Sequence, residues 1–156
     1  MKKIGASHLI ELVKAAQKSP RHRANLNLHE TLQDPIQRLA IAMEPDTFIR
    51  PHRHSHTWEM LFPLKGRFAV LIFSDDGLVT DRVVLGEEVA ILEIPAGQWH
   101  SVLSLDSGGV IFEVKHGPYT PITDKDCAKW GNGSSELQIS SLLRWYGQAK
   151  PGDCFV

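Results

Sequence analysis

Three of the chain's eight histidines, His52, His54 and His56, fall within five positions. In an extended strand, side chains two apart share a face, so His52 and His54 can aim two imidazoles at one point. Glu59 has the opposite parity, and its carboxylate returns to that point only if the chain bends between Ser55 and Trp58. His56 keeps the parity of His52 and His54, and is either a ligand in place of one of them or a loop histidine at that bend. Farther along, Pro95-x-Gly97-x-x-His100 sets a sharp turn and then a strand bearing another histidine. Three neutral imidazoles and one carboxylate make a coherent donor set for one divalent transition metal per chain. Such a set leaves two positions of an octahedron open, which suits Fe, Mn, Ni or Co. Zn is possible, although closed structural zinc sites are usually tetrahedral and often include Cys. The open positions would let a metal polarise a substrate oxygen or generate a nucleophile.

These residues need rigid elements to hold them. From Pro35 onward, short runs rich in Val, Ile, Leu and Phe recur between turn signals, the pattern of a small antiparallel barrel or sandwich. The runs are 37–43, 47–50, 58–65, 67–73, 78–84, 89–94, 99–105 and 110–115. Glu44-Pro45-Asp46, Lys65-Gly66, Ser74-Asp75-Asp76-Gly77, Pro95-Ala96-Gly97 and Asp106-Ser107-Gly108-Gly109 supply the turns. Ahead of the runs, Leu9, Leu12, Val13 and Ala16 predict an amphipathic helix, with Ser7 as N-cap and Pro20 past its end. Residues 21–34 show little periodicity and are expected as an extended or looped arm. A second helix is expected over 135–146, capped by Ser134 and ended by Gly147, with Leu142, Leu143, Trp145 and Tyr146 packing it onto the barrel or a second subunit. The fold class expected is mainly β, in three parts: helix and arm (1–34), barrel (35–118) and C-terminal extension (119–156).

Composition narrows the function classes. With 42% hydrophobic and 22% charged residues the chain has enough apolar surface to fold. A formal charge of −1 supplies no positive field for a nucleic acid or an anionic membrane, so neither is expected as a partner. Lys2 and Lys3 imitate the start of a signal peptide, but His8, Glu11 and Lys14 interrupt any apolar stretch, and a cytoplasmic protein is expected. Cys127 and Cys154 stand 27 residues apart with no CxxC, and are expected as free thiols. No GxSxG, HExxH or post-strand GxGxxG is present, which weakens serine-hydrolase, zincin and dinucleotide readings.

The spacing also resembles that of the cupin superfamily. His52-x-His54, four residues, Glu59, six residues and Gly66 follow the first cupin motif, with Asp46 in place of its leading Gly. Pro95, Gly97 and His100 follow the second, although eight residues rather than five separate Gly86 from Pro95, and Ser104 replaces a final Asn. More narrowly, RANLNLH, QRLAIAM, FIRPHRH, EIPAGQWH and FEVKHGPY look like the WbuC-type cupin metalloproteins, a bacterial group often associated with surface-polysaccharide gene clusters. This resemblance implies a single cupin (jelly-roll) barrel with a metal on His52, His54, Glu59 and His100. It also implies that Arg23, Asn25, His29, Arg38, Arg50, Glu113, Lys115 and Tyr119 match the group's strings, without giving them roles. A homodimer is expected, since cupin barrels commonly pair.

Two functions follow from these residues. One is a metal-dependent enzyme on a small polar metabolite, of oxygenase or isomerase type, with Glu113, Tyr119 or His29 as candidate acid or base and a sugar or sugar nucleotide suggested by family association. The other is a non-catalytic, metal-dependent small-molecule binding protein. Arg50 shares the parity of His52 and is expected either to hold an anionic group in the cavity or to sit at its rim. Gln98 and Val102 beside His100, and Leu61 beside Glu59, should line the same space. Lys115, two from Glu113, either faces that space as a substrate-binding residue or lies with it on an exposed face.

Overall fold

A computed structural model describes residues 1–155. Its order is helix α1 (Ala6–Lys18), strands β1 (Arg23–Asn27), β2 (Ile36–Met43), β3 (Glu59–Lys65), β4 (Phe68–Phe73), β5 (Val79–Leu85), β6 (Leu92–Ile94), β7 (Trp99–Ser104) and β8 (Gly109–His116), and helix α2 (Glu136–Gln148). One five-stranded antiparallel sheet runs β1-β2-β8-β3-β6, and a three-stranded one runs β5-β4-β7.

Alternation along the strands sorts residues into layers. Leu39, Ile41, Met43, Leu61, Phe68, Val70, Val102 and Ile111 meet between the sheets. Ala40, Ala42, Val110 and Phe112 face outward on the larger sheet and receive Leu12, Val13 and Ala16 of α1. On the smaller sheet, Ala69, Leu71, Phe73, Trp99 and Leu103 receive Leu142 and Tyr146 of α2. The molecule is thus helix, sheet, interior, sheet, helix. None of its described helices is long and apolar enough to cross a membrane.

Eight strands are present, but one differs from the sequence expectation. Residues 47–50 form no strand, and the eighth is β1, inside the arm expected to lack pattern. The arm does have a period of two: Ala24, Leu26 and Leu28 pack toward α1, while Arg23, Asn25, Asn27 and His29 face the interior. It pairs in register with β2, Arg23 opposite Met43 and Asn27 opposite Leu39. The helix ends also shift. Helix α1 starts with Gly5 as N-cap, whose N–H donates to His8 Nδ1 at 3.1 Å, so Ser7 lies within it. Helix α2 is capped by Ser135, whose Oγ accepts from Gln138 N at 3.2 Å, and it continues through Gly147 to Gln148. The extension before α2 holds one 3-10 turn, Asp124–Asp126. Cys127 and Cys154 are free.

Candidate metal centre

His52 and His100 come together as a backbone pair. His52 N donates to His100 O at 3.0 Å, and His100 N donates to His52 O at 2.9 Å. His54 is tied to the same turn by Gly97 N, which donates to His54 O at 2.8 Å. Gly97 has φ +82°, a left-handed conformation that favours glycine and lets the Pro95-Ala96-Gly97 turn deliver His100. The chain then turns at Ser55 and His56, within the bend that Glu59's parity requires, and β3 begins at Glu59. The turn leaves His56 exposed and outside the cluster, so it is the loop histidine of the two alternatives.

One ligand atom from each of His52, His54, Glu59 and His100 lies within 4.8 Å of the others. The imidazoles are oriented from behind: His52 Nδ1 is 2.9 Å from Arg50 O and His100 Nδ1 is 2.9 Å from Gln98 O. With Nδ1 donating to a carbonyl, Nε2 is left as the free lone pair, the arrangement that metal-bound histidines adopt. His100 Nε2 lies 3.0 Å from Glu59 Oε2 and His54 Nε2 lies 3.7 Å from it. His100 Nε2 is nevertheless buried without a well-aligned hydrogen bond. Close but misaligned nitrogen and oxygen lone pairs suit two donors to a common ion, so the residues present fit a divalent metal.

Electrostatics hold two of the three imidazoles neutral. Burial, aided by His100, lowers His52 to about 3, and burial lowers His54 to about 4 against the pull of Glu59. Burial also works against a charged His100, but the Glu59 carboxylate outweighs it and raises that pKa. Glu59 itself is pushed up by burial, yet His100 holds it below the ordinary carboxylate range.

The cluster opens onto a cavity of about 690 Å³ between the sheets. Leu61, Val102, Leu39, Ile41 and Ile111 form its apolar surface, and Glu113, Lys115, His29 and Tyr119 reach it. Glu113 and Lys115 therefore face inward, 2.7 Å apart. Burial, with the neighbouring Glu59 charge, pushes Glu113 up to about 7. His29 is 5% exposed, with Nδ1 3.0 Å from Arg38 N and Nε2 unpartnered. Tyr119 is half exposed at the mouth.

Two expected substrate contacts are committed elsewhere. Gln98 does not line the cavity; its Nε2 donates to Phe73 O at 2.8 Å, because residues at the start of β7 lie beside the end of β4. Arg50 lines the cavity, but its Nε and Nη2 donate to Ala128 O at 3.0 and 2.8 Å. That clamp belongs to a larger anchor invisible in the sequence. Arg53 N donates to Asp126 O at 3.0 Å, Ala128 N donates to Pro51 O at 2.8 Å, and the Arg53 guanidinium sits 4.5 Å above the Trp99 ring. The C-terminal extension thus straps the histidine segment in place. Sequence reading also gave Arg23 no role; the alternation of RANLNLH was the signal that aims it inward.

Comparison with solved structures finds the same fold in otherwise distant chains. KdgF from Halomonas sp. matches with TM-score 0.51 and 13% identity, covering 66% of this chain and 85% of that one. TT1209 from Thermus thermophilus matches with TM-score 0.53 and 16% identity, covering 74% and 97%. Recombinant oxalate oxidase in complex with glycolate matches with TM-score 0.52 and 21% identity, covering 69% of this chain and 57% of that one. The likeness shows a cupin fold. No curated protein matches the sequence. A family model described as "Domain of unknown function (DUF6016)" matches residues 4–85, which include His52, His54 and Glu59 and stop short of His100.

Proposed function

We propose, for a chain that belongs to the DUF6016 family, a metal-dependent enzyme that acts on a small polar metabolite in the cavity beside His52, His54, Glu59 and His100. The observation that carries this reading is the misaligned 3.0 Å contact of His100 Nε2 with Glu59 Oε2 at the wall of a 690 Å³ cavity. A divalent transition metal held by these four residues would supply Lewis acidity to a substrate oxygen. The chain's own groups supply the rest. Leu61, Val102 and Ile111 exclude water from the apolar side, and Glu113, with Lys115 fixing its orientation at 2.7 Å, is placed to hold or accept a proton. His29 offers a second polar atom through its free Nε2.

The WbuC-type resemblance favours a substrate derived from a sugar, and the mixture of apolar surface with a few convergent polar groups suits such a molecule. The test is a metabolite screen by NMR with metal-loaded protein and with His100→Ala. Conversion by the first and none by the second is expected. Saturable binding without conversion would make the chain a binding protein instead, and conversion that survives His100→Ala would overturn the site.

A further inference from the structure

The interior face of β1 is polar throughout, whereas the adjacent face of β2 carries Leu39, Ile41 and Met43. An edge strand could present solvated residues there at no cost, but two of these groups are buried. Arg23 Nε and His29 Nε2 are shielded from solvent and have no hydrogen-bond partner. Arg23 also joins none of the ion pairs among the described residues. A buried donor left unpaired is costly and calls for an explanation.

Three other charged side chains of the cavity already have partners. Lys115 is held by Glu113, Arg50 by Ala128 O, and Glu59 by His100. What remains uncommitted on the wall is cationic or a neutral donor: Arg23, with Arg21 on the same side, and the amides of Asn25 and Asn27. Burial works against the Arg23 charge and Glu113 offsets it only in part. An incoming anion would relieve this.

We infer that Arg23 binds an anionic group, a carboxylate or a phosphate, of a small hydroxylated ligand whose other end reaches the metal centre. The inference deepens the reading above and rests on it for that second attachment alone. The planar guanidinium fork matches either anion through two parallel hydrogen bonds. Asn25 and Asn27, two apart on the same face, are suited to the ligand's hydroxyls.

The experiment is calorimetric titration of the metal-loaded full chain with inorganic phosphate, D-gluconate and D-glucose, with metal content measured in parallel. At least one of the two anions should bind and neutral glucose should not. Phosphate alone would identify a phosphoryl group, and gluconate alone a carboxylate. Arg23→Gln should weaken the anion by about 10- to 100-fold, the span of a lost charge-assisted hydrogen bond. Its metal content should be unchanged, and Arg23→Lys should keep part of the affinity. Absence of anion binding to the wild type, or affinity that ignores Arg23→Gln, overturns the inference. Repeating the titration after chelation separates the two readings. Anion binding that depends on Arg23 in a protein unable to take up metal would sink the metal centre and leave the anion site standing.

Discussion

The interior faces of three strands change character within one alternation step. On β3 Glu59 gives way to Leu61, on β7 His100 to Val102, and on β8 Glu113 to Ile111. One end gathers imidazoles and carboxylates, while the other is ordinary packed hydrocarbon. The same backbone carries both, so the sheets supply position, and the chemistry is decided by which residues occupy the inward places at one end of each strand. The polar end is tolerable because most of its groups are paired or gathered where they could hold a metal; the apolar end has no such partners to offer.

That contrast is broken most severely by charging the apolar end. Ile111 is 1% exposed among Leu39, Leu61 and Val102, and Ile111→Asp is expected to cost more than about 4 kcal/mol, enough to abolish cooperative folding in denaturant. A variant within about 1 kcal/mol of wild type, on the order of ordinary surface changes, would show that the apolar end is not a packed core.

Unpairing a charge at the polar end comes next. Lys115→Met leaves Glu113 without its partner 2.7 Å away and should cost about 3–5 kcal/mol. Glu113 is raised by burial to about 7, above its unfolded value. A raised carboxyl binds its proton more tightly when folded, so the loss should grow as pH rises through that value and shrink below it. The double change Glu113→Leu with Lys115→Met should recover most of the stability, as apolar replacement of a buried pair often does. Failure to recover would mean that the pair is needed for the fold.

A third expectation concerns protons. Burial already keeps His52 and His54 neutral near pH 7, whereas the Glu59 carboxylate raises His100. Protons displaced by metal uptake near neutral pH should therefore come from His100 and number no more than about one, and affinity should fall by up to about tenfold per pH unit as pH drops through the raised His100 value. Titrations in buffers of different ionisation enthalpy measure the number. Release of clearly more than one proton at about pH 6, where ordinary imidazoles are largely protonated, would contradict the burial of His52 and His54.

The smallest effect is at the turn. No atom lies within 4 Å of a Cβ built on Gly97, so Gly97→Ala suffers only its φ of +82°, about 1–2 kcal/mol. Thermal melting reads it directly, and a loss far larger would indicate that the turn itself positions His100 and His54.

Much of the site was legible because metal ligation requires particular residue types at particular offsets: HxH, the wrong-parity Glu59 that demands a bend, and PxGxxH. Most strands were legible for the same periodic reason. Residues 47–50 look like a strand but cross from β2 to the histidine segment without a pairing neighbour, which no local pattern reveals. The strand β1 was missed because its small Ala24 and its polar alternates hide a genuine period of two. Arg50, Arg53 and Gln98 were beyond local reading, because their partners Ala128, Asp126 and Phe73 are 78, 73 and 25 residues away.

Anomalous diffraction at the metal's absorption edge, from crystals of the metal-loaded protein, decides whether these four residues hold one ion. One peak per chain is expected, within about 2.0–2.2 Å of Nε2 of His52, His54 and His100 and a carboxylate oxygen of Glu59, with its remaining positions facing the cavity. No peak at this cluster, or a peak held by His56 or by surface carboxylates instead, would contradict it.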